Sequence, residues 1–144
     1  MVTALIEGQP ASTSERLLAA AGLLAGTAAS AVVWYFNPSN FNFFPVCPLL
    51  SLTGFACPGC GMTRAFHAFF HGDIITALDF NALLPIFVLI FGFLFLSLVS
   101  VAVRGRGFMK LSDSPKFIIG LFVMLLVFGV LRNVPVYPLT ILYP

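Results

Sequence analysis

CPLLSLTGFACPGCGMTRAFHAFFHGDIITALDFN, Cys47 to Asn81, concentrates the chemistry of this chain. It holds all 3 cysteines, both histidines and the carboxylates of Asp73 and Asp79. Pro48, Gly54, Pro58 and Gly59 interrupt its first half, so it cannot cross a bilayer as one helix. Long uncharged apolar runs flank it on both sides. The stretch therefore reads as a connection between membrane-spanning helices.

Composition supports that reading. Of 144 residues, 60% are hydrophobic and 8% charged, against roughly 45–50% and about 25% in soluble domains. An all-α membrane protein follows, read as a single membrane domain over 1–144 because no internal repeat or low-complexity tract divides it. The net charge of +2 comes from dispersed basic residues, which excludes a nucleic-acid surface. The expected partners are the lipid bilayer and other membrane-protein subunits or a second copy of the chain. Three cysteines are too few for a disulfide framework, so their role is local.

Outward from the Cys stretch, three spans are expected. Residues 1–15 read as a polar cytoplasmic arm with a helix start near Ser14. Residues 17–36 form the first span, with Arg16 before it and Trp34 and Tyr35 in an interfacial belt. Within this span Gly22, Gly26 and Ser30 recur at four-residue spacing, a helix-packing seam either inside this chain or to a partner. Arg16, the apolar run and Ala29-Ser30-Ala31 also resemble a cleaved signal peptide, but the run exceeds an h-region of about 7–15 residues, so a true span is expected.

Residues 41–81 read as a cap with short helices, its first part, 41–56, lying at the interface or re-entrant. A helix after Pro58 and Gly59 should reach about Phe70 and stop at Gly72. Asp73 can cap a second short helix through Phe80, and Asn81 can cap the next span. That second span covers 82–103 and is followed by a cytoplasmic loop over 104–116. The third span covers 117–134, with Arg132 and Asn133 reaching the far interface, and 135–144 form an extended tail. Arg16, Arg104, Arg106, Lys110 and Lys116 then share one side against Arg64 and Arg132, five to two. By the positive-inside rule the N-terminus is cytoplasmic, and the Cys stretch and tail face outward, where disulfides persist.

The candidate site residues follow from spacing. On a helix starting near Gly59, Cys60, Arg64, His67 and His71 are separated by four, three and four residues and share a face, with Cys57 one turn earlier. Two thiols and two imidazoles can build a tetrahedral Zn²⁺ site, and with Cys47 a softer copper or iron site. Alternatively, Cys57-x-x-Cys60 at a helix N-terminus favours a thiolate, with Arg64 adding positive charge, but a thioredoxin-like enzyme needs a βαβ context that is missing. A Cys57–Cys60 or Cys47–Cys57 disulfide that merely braces the cap is the arrangement expected ahead of either. Arg64 on an apolar helix must snorkel, stack or pair, and Asp73 and Asp79 are the nearby carboxylates, with an anion or lipid-headgroup contact as the functional alternative. His67 and His71 also read as ordinary interfacial residues among Phe66, Phe69 and Phe70.

Cys57-Pro58-Gly59-Cys60-Gly61-Met62-Thr63-Arg64 resembles the C-P-x-C-G-x-T-R signature of an uncharacterised family of small bacterial integral membrane proteins, a domain of unknown function. That pattern also has Cys-Pro and Thr-Gly, here Cys47-Pro48 and Thr53-Gly54, a Gly-Asp turn at Gly72-Asp73, and an Asn before a span, Asn81. The resemblance implies a bacterial cytoplasmic-membrane protein and supplies no activity; Thr63, Arg64, Asp73, Asp79 and Asn81 stand as candidate structural or anion-contact residues. No Ser-His-Asp order, P-loop or paired carboxylates supply catalytic residues. The expectation is an accessory or interaction component of a membrane complex, not an enzyme and without a resident cofactor. The alternative is a thiol-redox or metal-binding protein (Zn, Cu or Fe) using the Cys-x-x-Cys and His residues.

Overall fold

The computed structural model describes residues 11–40, 44, 47–106, 115–137 and 142. Most of the expected arm over 1–15, namely residues 1–10, lies outside those residues, as do most of the loop at 104–116 and most of the tail. Among the described residues there are six helices and no strand: α1 (Thr13–Tyr35), α2 (Pro48–Thr53), α3 (Met62–Phe70), α4 (Ile74–Phe80), α5 (Leu84–Arg104) and α6 (Pro115–Leu131).

Two helices are long and apolar enough to cross a membrane. Mean hydropathy reaches 1.8 in α1 and 2.9 in α5, yet only 6% and 17% of those windows are buried. A core helix of a soluble domain would be mostly covered, whereas Leu24, Leu89 and Leu96 are 73%, 73% and 63% exposed. The outward apolar surface suits lipid. The third helix, α6, has 17 residues, about 25 Å at 1.5 Å per residue, somewhat short of the ~30 Å hydrocarbon core.

The described residues of Met1–Ser30 and Phe87–Gly120 make one compact unit. Here Ser12 and Glu15 form a reciprocal cap: the Glu15 N–H reaches Ser12 Oγ at 3.3 Å while Glu15 Oε2 accepts from the Ser12 N–H at 3.0 Å. Arg16 donates to Ala102 O at 3.0–3.1 Å and to Val103 O at 3.1 Å, satisfying carbonyls at the end of α5. In the small-residue seam, a Cβ on Gly22 would meet Leu98 at 3.6 Å, but one on Gly26 would meet nothing within 4 Å. Gly22, Gly26 and Ser30 are all exposed, so the seam packs within this unit only at its first step.

The described residues of Ala31–Ile86 and Leu121–Pro144 make the second unit. Of its short helices, α3 and α4 are those expected, while α2 falls in 41–56, where no helix bounds were expected. Pro48 opens α2 and Gly54 closes it, its N–H bonded to Leu50 O. Asp73 caps α4 by accepting from the Thr76 N–H at 3.1 Å. Helices α3 and α4 pack on each other, and Ala65, Ala68 and Ala77 on them are buried at 0%, 8% and 0% exposure.

One boundary differs with consequence. The helix begins at Met62, not near Gly59, because Gly61 takes φ +80° and ends the preceding turn. Cys57 to Cys60 form that turn, closed by the Cys60 N–H on Cys57 O at 3.0 Å. Cys60 therefore lies outside α3 and leaves the face shared by Arg64, His67 and His71.

Candidate functional site

The turn bends the three cysteines together. Cys57 Sγ is 3.2 Å from Cys47 Sγ and 3.4 Å from Cys60 Sγ. All three sulfurs lie within 4.8 Å of one another. They are free thiols, far beyond the ~2.05 Å of a disulfide bond, so the expected bracing bridge is not seen. Cys47 comes from the residue before α2, which brings its sulfur beside the turn, and Cys60 is 5% exposed.

The environment divides the thiols. The Leu50 N–H at the start of α2, and then Cys57, hold the Cys47 thiol down from an ordinary 9.0 to about 6. Burial, then contact with the other two thiols, pushes Cys60 up to about 12. One sulfur is thus poised as a thiolate near neutral pH, while another keeps its proton until something displaces it.

Arg132 and two asparagines fix the turn's backbone from behind. Arg132, 1% exposed, donates through Nη1 to Cys57 O at 2.9 Å, Cys60 O at 3.2 Å and Pro58 O at 3.4 Å. Its guanidinium also lies over the Phe128 ring, 5.2 Å from the centroid. Asn81, also 1% exposed, donates to Pro58 O at 2.9 Å and Cys60 O at 3.0 Å, and its Oδ1 accepts from the Leu83 N–H at 2.9 Å as α5 begins. Asn133 makes a two-way clasp with Ala56, 2.8 Å in each direction. Where α6 passes the turn, a Cβ on Gly129 would stand 3.2 Å from Pro58 Cγ, so glycine permits the close approach.

The histidines gather elsewhere. His67 Nδ1 donates to Val33 O at 2.7 Å and His71 Nδ1 to His67 O at 2.8 Å, since a carbonyl can only accept. Their ring centroids are 4.4 Å apart. Neither joins the thiol group, so the Cys₂His₂ combination expected from spacing does not assemble. Arg64 makes no ion pair with Asp73 or Asp79 among the described residues; its guanidinium stands over Phe80, 5.1 Å from the centroid. Stacking has replaced the expected pairing. Thr63 is half-buried on α3 and Asp79 exposed at the end of α4.

Sequence reasoning assigned Arg132 and Asn133 to the interface and gave Gly129 no role. The available signal was an Arg-Asn pair closing an otherwise uncharged apolar helix, since a charge at membrane depth is costly and marks function by default.

Chemically, sulfurs bound to one ion at about 2.3 Å would sit about 3.8–4.0 Å apart in trigonal or tetrahedral geometry. Spacings of 3.2 and 3.4 Å, with a group limit of 4.8 Å, reach that with sub-ångström adjustment. Thiolates select soft or borderline ions such as Cu⁺ and Zn²⁺, or iron–sulfur chemistry.

No curated protein and no solved structure matches this chain. Residues 47–95, which contain the thiol cluster, α2 to α4 and the start of α5, match the family model described as Protein of unknown function (DUF2752), and over that stretch the resemblance to an uncharacterised domain is confirmed.

Proposed function

We propose that this chain is a membrane metal-binding protein, holding one thiophilic ion through Cys47, Cys57 and Cys60. The observation that carries the reading is three free thiols within 4.8 Å of one another, gathered at a turn whose carbonyls are already held by Arg132 and Asn81. Three sulfurs leave a coordination position open on Zn²⁺ and complete a trigonal site for Cu⁺. The nearby guanidinium offsets the negative charge that three thiolates bring to one ion. Binding releases thiol protons, Cys60's included, so affinity rises with pH.

The wider setting is part of the proposal. Helix α6 serves as a third span beside α1 and α5, the N-terminus is cytoplasmic, and the thiol cluster faces outward from a bacterial cytoplasmic membrane. This fits an accessory component that holds or passes an ion within a membrane complex, or in a self-associated form. The acidity of Cys47, 3.2 Å from Cys57, favours a second reading, thiol–disulfide exchange, in which two thiols are oxidised while an external disulfide is reduced.

Metal content of protein purified without metal-binding tags separates the two. Metal binding gives one equivalent of ion, abolished in Cys57→Ser and retained in His67→Ala and His71→Ala. A metal-free protein with a reversible disulfide would replace the first reading by the second.

A further inference from the structure

A second site lies on the face that Cys60 left. Arg64, His67, His71, Asp73, Thr76 and Phe80 line a cavity of about 320 Å³. Nothing in the metal reading uses it. We propose that this cavity binds a phosphomonoester group, with Arg64 as its principal contact.

Charge and donor chemistry make the case. Asp73 is engaged by Thr76, whose hydroxyl and backbone N–H lower its pKa, and its Oδ1 accepts from that N–H at 3.1 Å. The carboxylate is therefore committed to capping α4. Arg64 is the cation left for a ligand, half-buried and braced by Phe80 with its centroid 5.1 Å away. A guanidinium matches the planar spread of phosphate oxygens. Asn37 and Ser39, at the end of α1, add an amide and a hydroxyl to the same wall.

The histidines sharpen the ligand class. Both Nδ1–H groups are spent on backbone carbonyls, which leaves Nε2 as the ring nitrogen available to a ligand. A singly protonated phosphomonoester, whose second pKa is about 6, accepts from Arg64 while its P–OH donates to an imidazole. A phosphodiester has no such proton.

The ligand has two sources, a lipid headgroup or free phosphate. Trp34, and Tyr35 next to it in α1, are 52% and 73% exposed, and Ile74 and Ile75, which follow Asp73 in α4, are 49% and 77% exposed. Trp34 stacks on His71 with centroids 5.9 Å apart and planes 10° from parallel. Such a rim suits the interface and a lipid-borne phosphate.

The test uses the full chain in nanodiscs of phosphatidylcholine, alone or with phosphatidic acid or phosphatidylglycerol, and the chain in detergent titrated with inorganic phosphate. Saturable binding of phosphatidic acid, at least tenfold weaker in Arg64→Gln and weaker still for phosphatidylglycerol, supports a lipid-borne monoester. Binding of inorganic phosphate with the same Arg64 dependence supports the free source. Because Arg64→Gln can misfold, protection of the wild-type Arg64 from phenylglyoxal, read residue by residue, must track phosphate or phosphatidic acid. No saturable binding of either, equal binding of the diester lipid, or indifference of binding and protection to Arg64 would overturn the proposal. Removing the cysteines leaves every arm unchanged, so this outcome is separate from the metal test.

Discussion

Replacing Arg132 with methionine, close in length and uncharged, isolates what the buried guanidinium does. Its Nη1 makes two short bonds, 2.9 Å to Cys57 O and 3.2 Å to Cys60 O, and a longer one of 3.4 Å to Pro58 O. Hydrogen bonds from a charged donor contribute about 1.5–3 kcal/mol each, so the two short ones are worth about 3–6 kcal/mol. Against this stands the cost of burying the charge, several kcal/mol, which methionine removes. The acceptors are not orphaned: Cys57 O keeps the Cys60 N–H at 3.0 Å, and Asn81 still serves Pro58 O and Cys60 O at 2.9 and 3.0 Å. The net expectation for Arg132→Met is a loss of about 1–3 kcal/mol. Adding Asn81→Ala strips the second support from the same carbonyls, so the double variant should lose more than the sum of the singles. Thermal unfolding in detergent measures the stability, and chelator competition measures the ion, whose affinity should fall about 10–100-fold. A folded Arg132→Met protein with native ion affinity would refute a supporting role for Arg132.

Other expectations follow from the same geometry. Gly26→Ala should be neutral or gain up to about 1 kcal/mol from helix propensity, since nothing stands within 4 Å of its Cβ, whereas Gly129→Ala should lose stability because its Cβ meets the rigid Pro58 ring at 3.2 and 3.3 Å; equal melting temperatures would contradict this. In metal-free protein, alkylation of Cys47 should rise through about pH 6 while Cys60, at about 12, stays unreactive at neutral pH, as read by peptide mass spectrometry. The lowered Cys47 pKa adds stability above its unfolded value near 9, and that stability declines as pH falls toward 6; Cys60 does the reverse, contributing below 9 and losing it as pH rises toward 12. For topology, a single cysteine at Asn40 should react with an impermeant thiol reagent in intact cells and one at Arg106 should not; the reverse pattern would invert the proposed orientation.

Two of the short helices were readable because their punctuation is local. Gly72, at φ +81°, follows the end of α3, and Asp73 begins α4, each through a backbone rule that needs no distant partner, whereas α2 was not read as a helix. The long apolar helices were readable from length alone. What could not be read was the grouping of the thiols. Cys47 joins Cys57 across ten residues only because α2 intervenes, and Cys60 leaves the histidine face only because Gly61 adopts φ +80° before Met62. Helical spacing extended about three residues too far thus joined chemistry that the turn separates. Arg132 is the harder case: a charge near a helix end satisfies a topology rule equally well whether it snorkels to water or turns inward onto carbonyls 72 to 75 residues away. The distinction depends on the carbonyls of the Pro58-Gly59 turn projecting toward α6, which is tertiary information.

The central claim is tested most directly by measuring metal and free thiols together on the purified chain. One ion per chain is predicted, with three thiols that become titratable only after a chelator is added to unfolded protein. No ion, a single titratable thiol and two more released only by a reductant would contradict it, because two of the three sulfurs would then be committed to a disulfide.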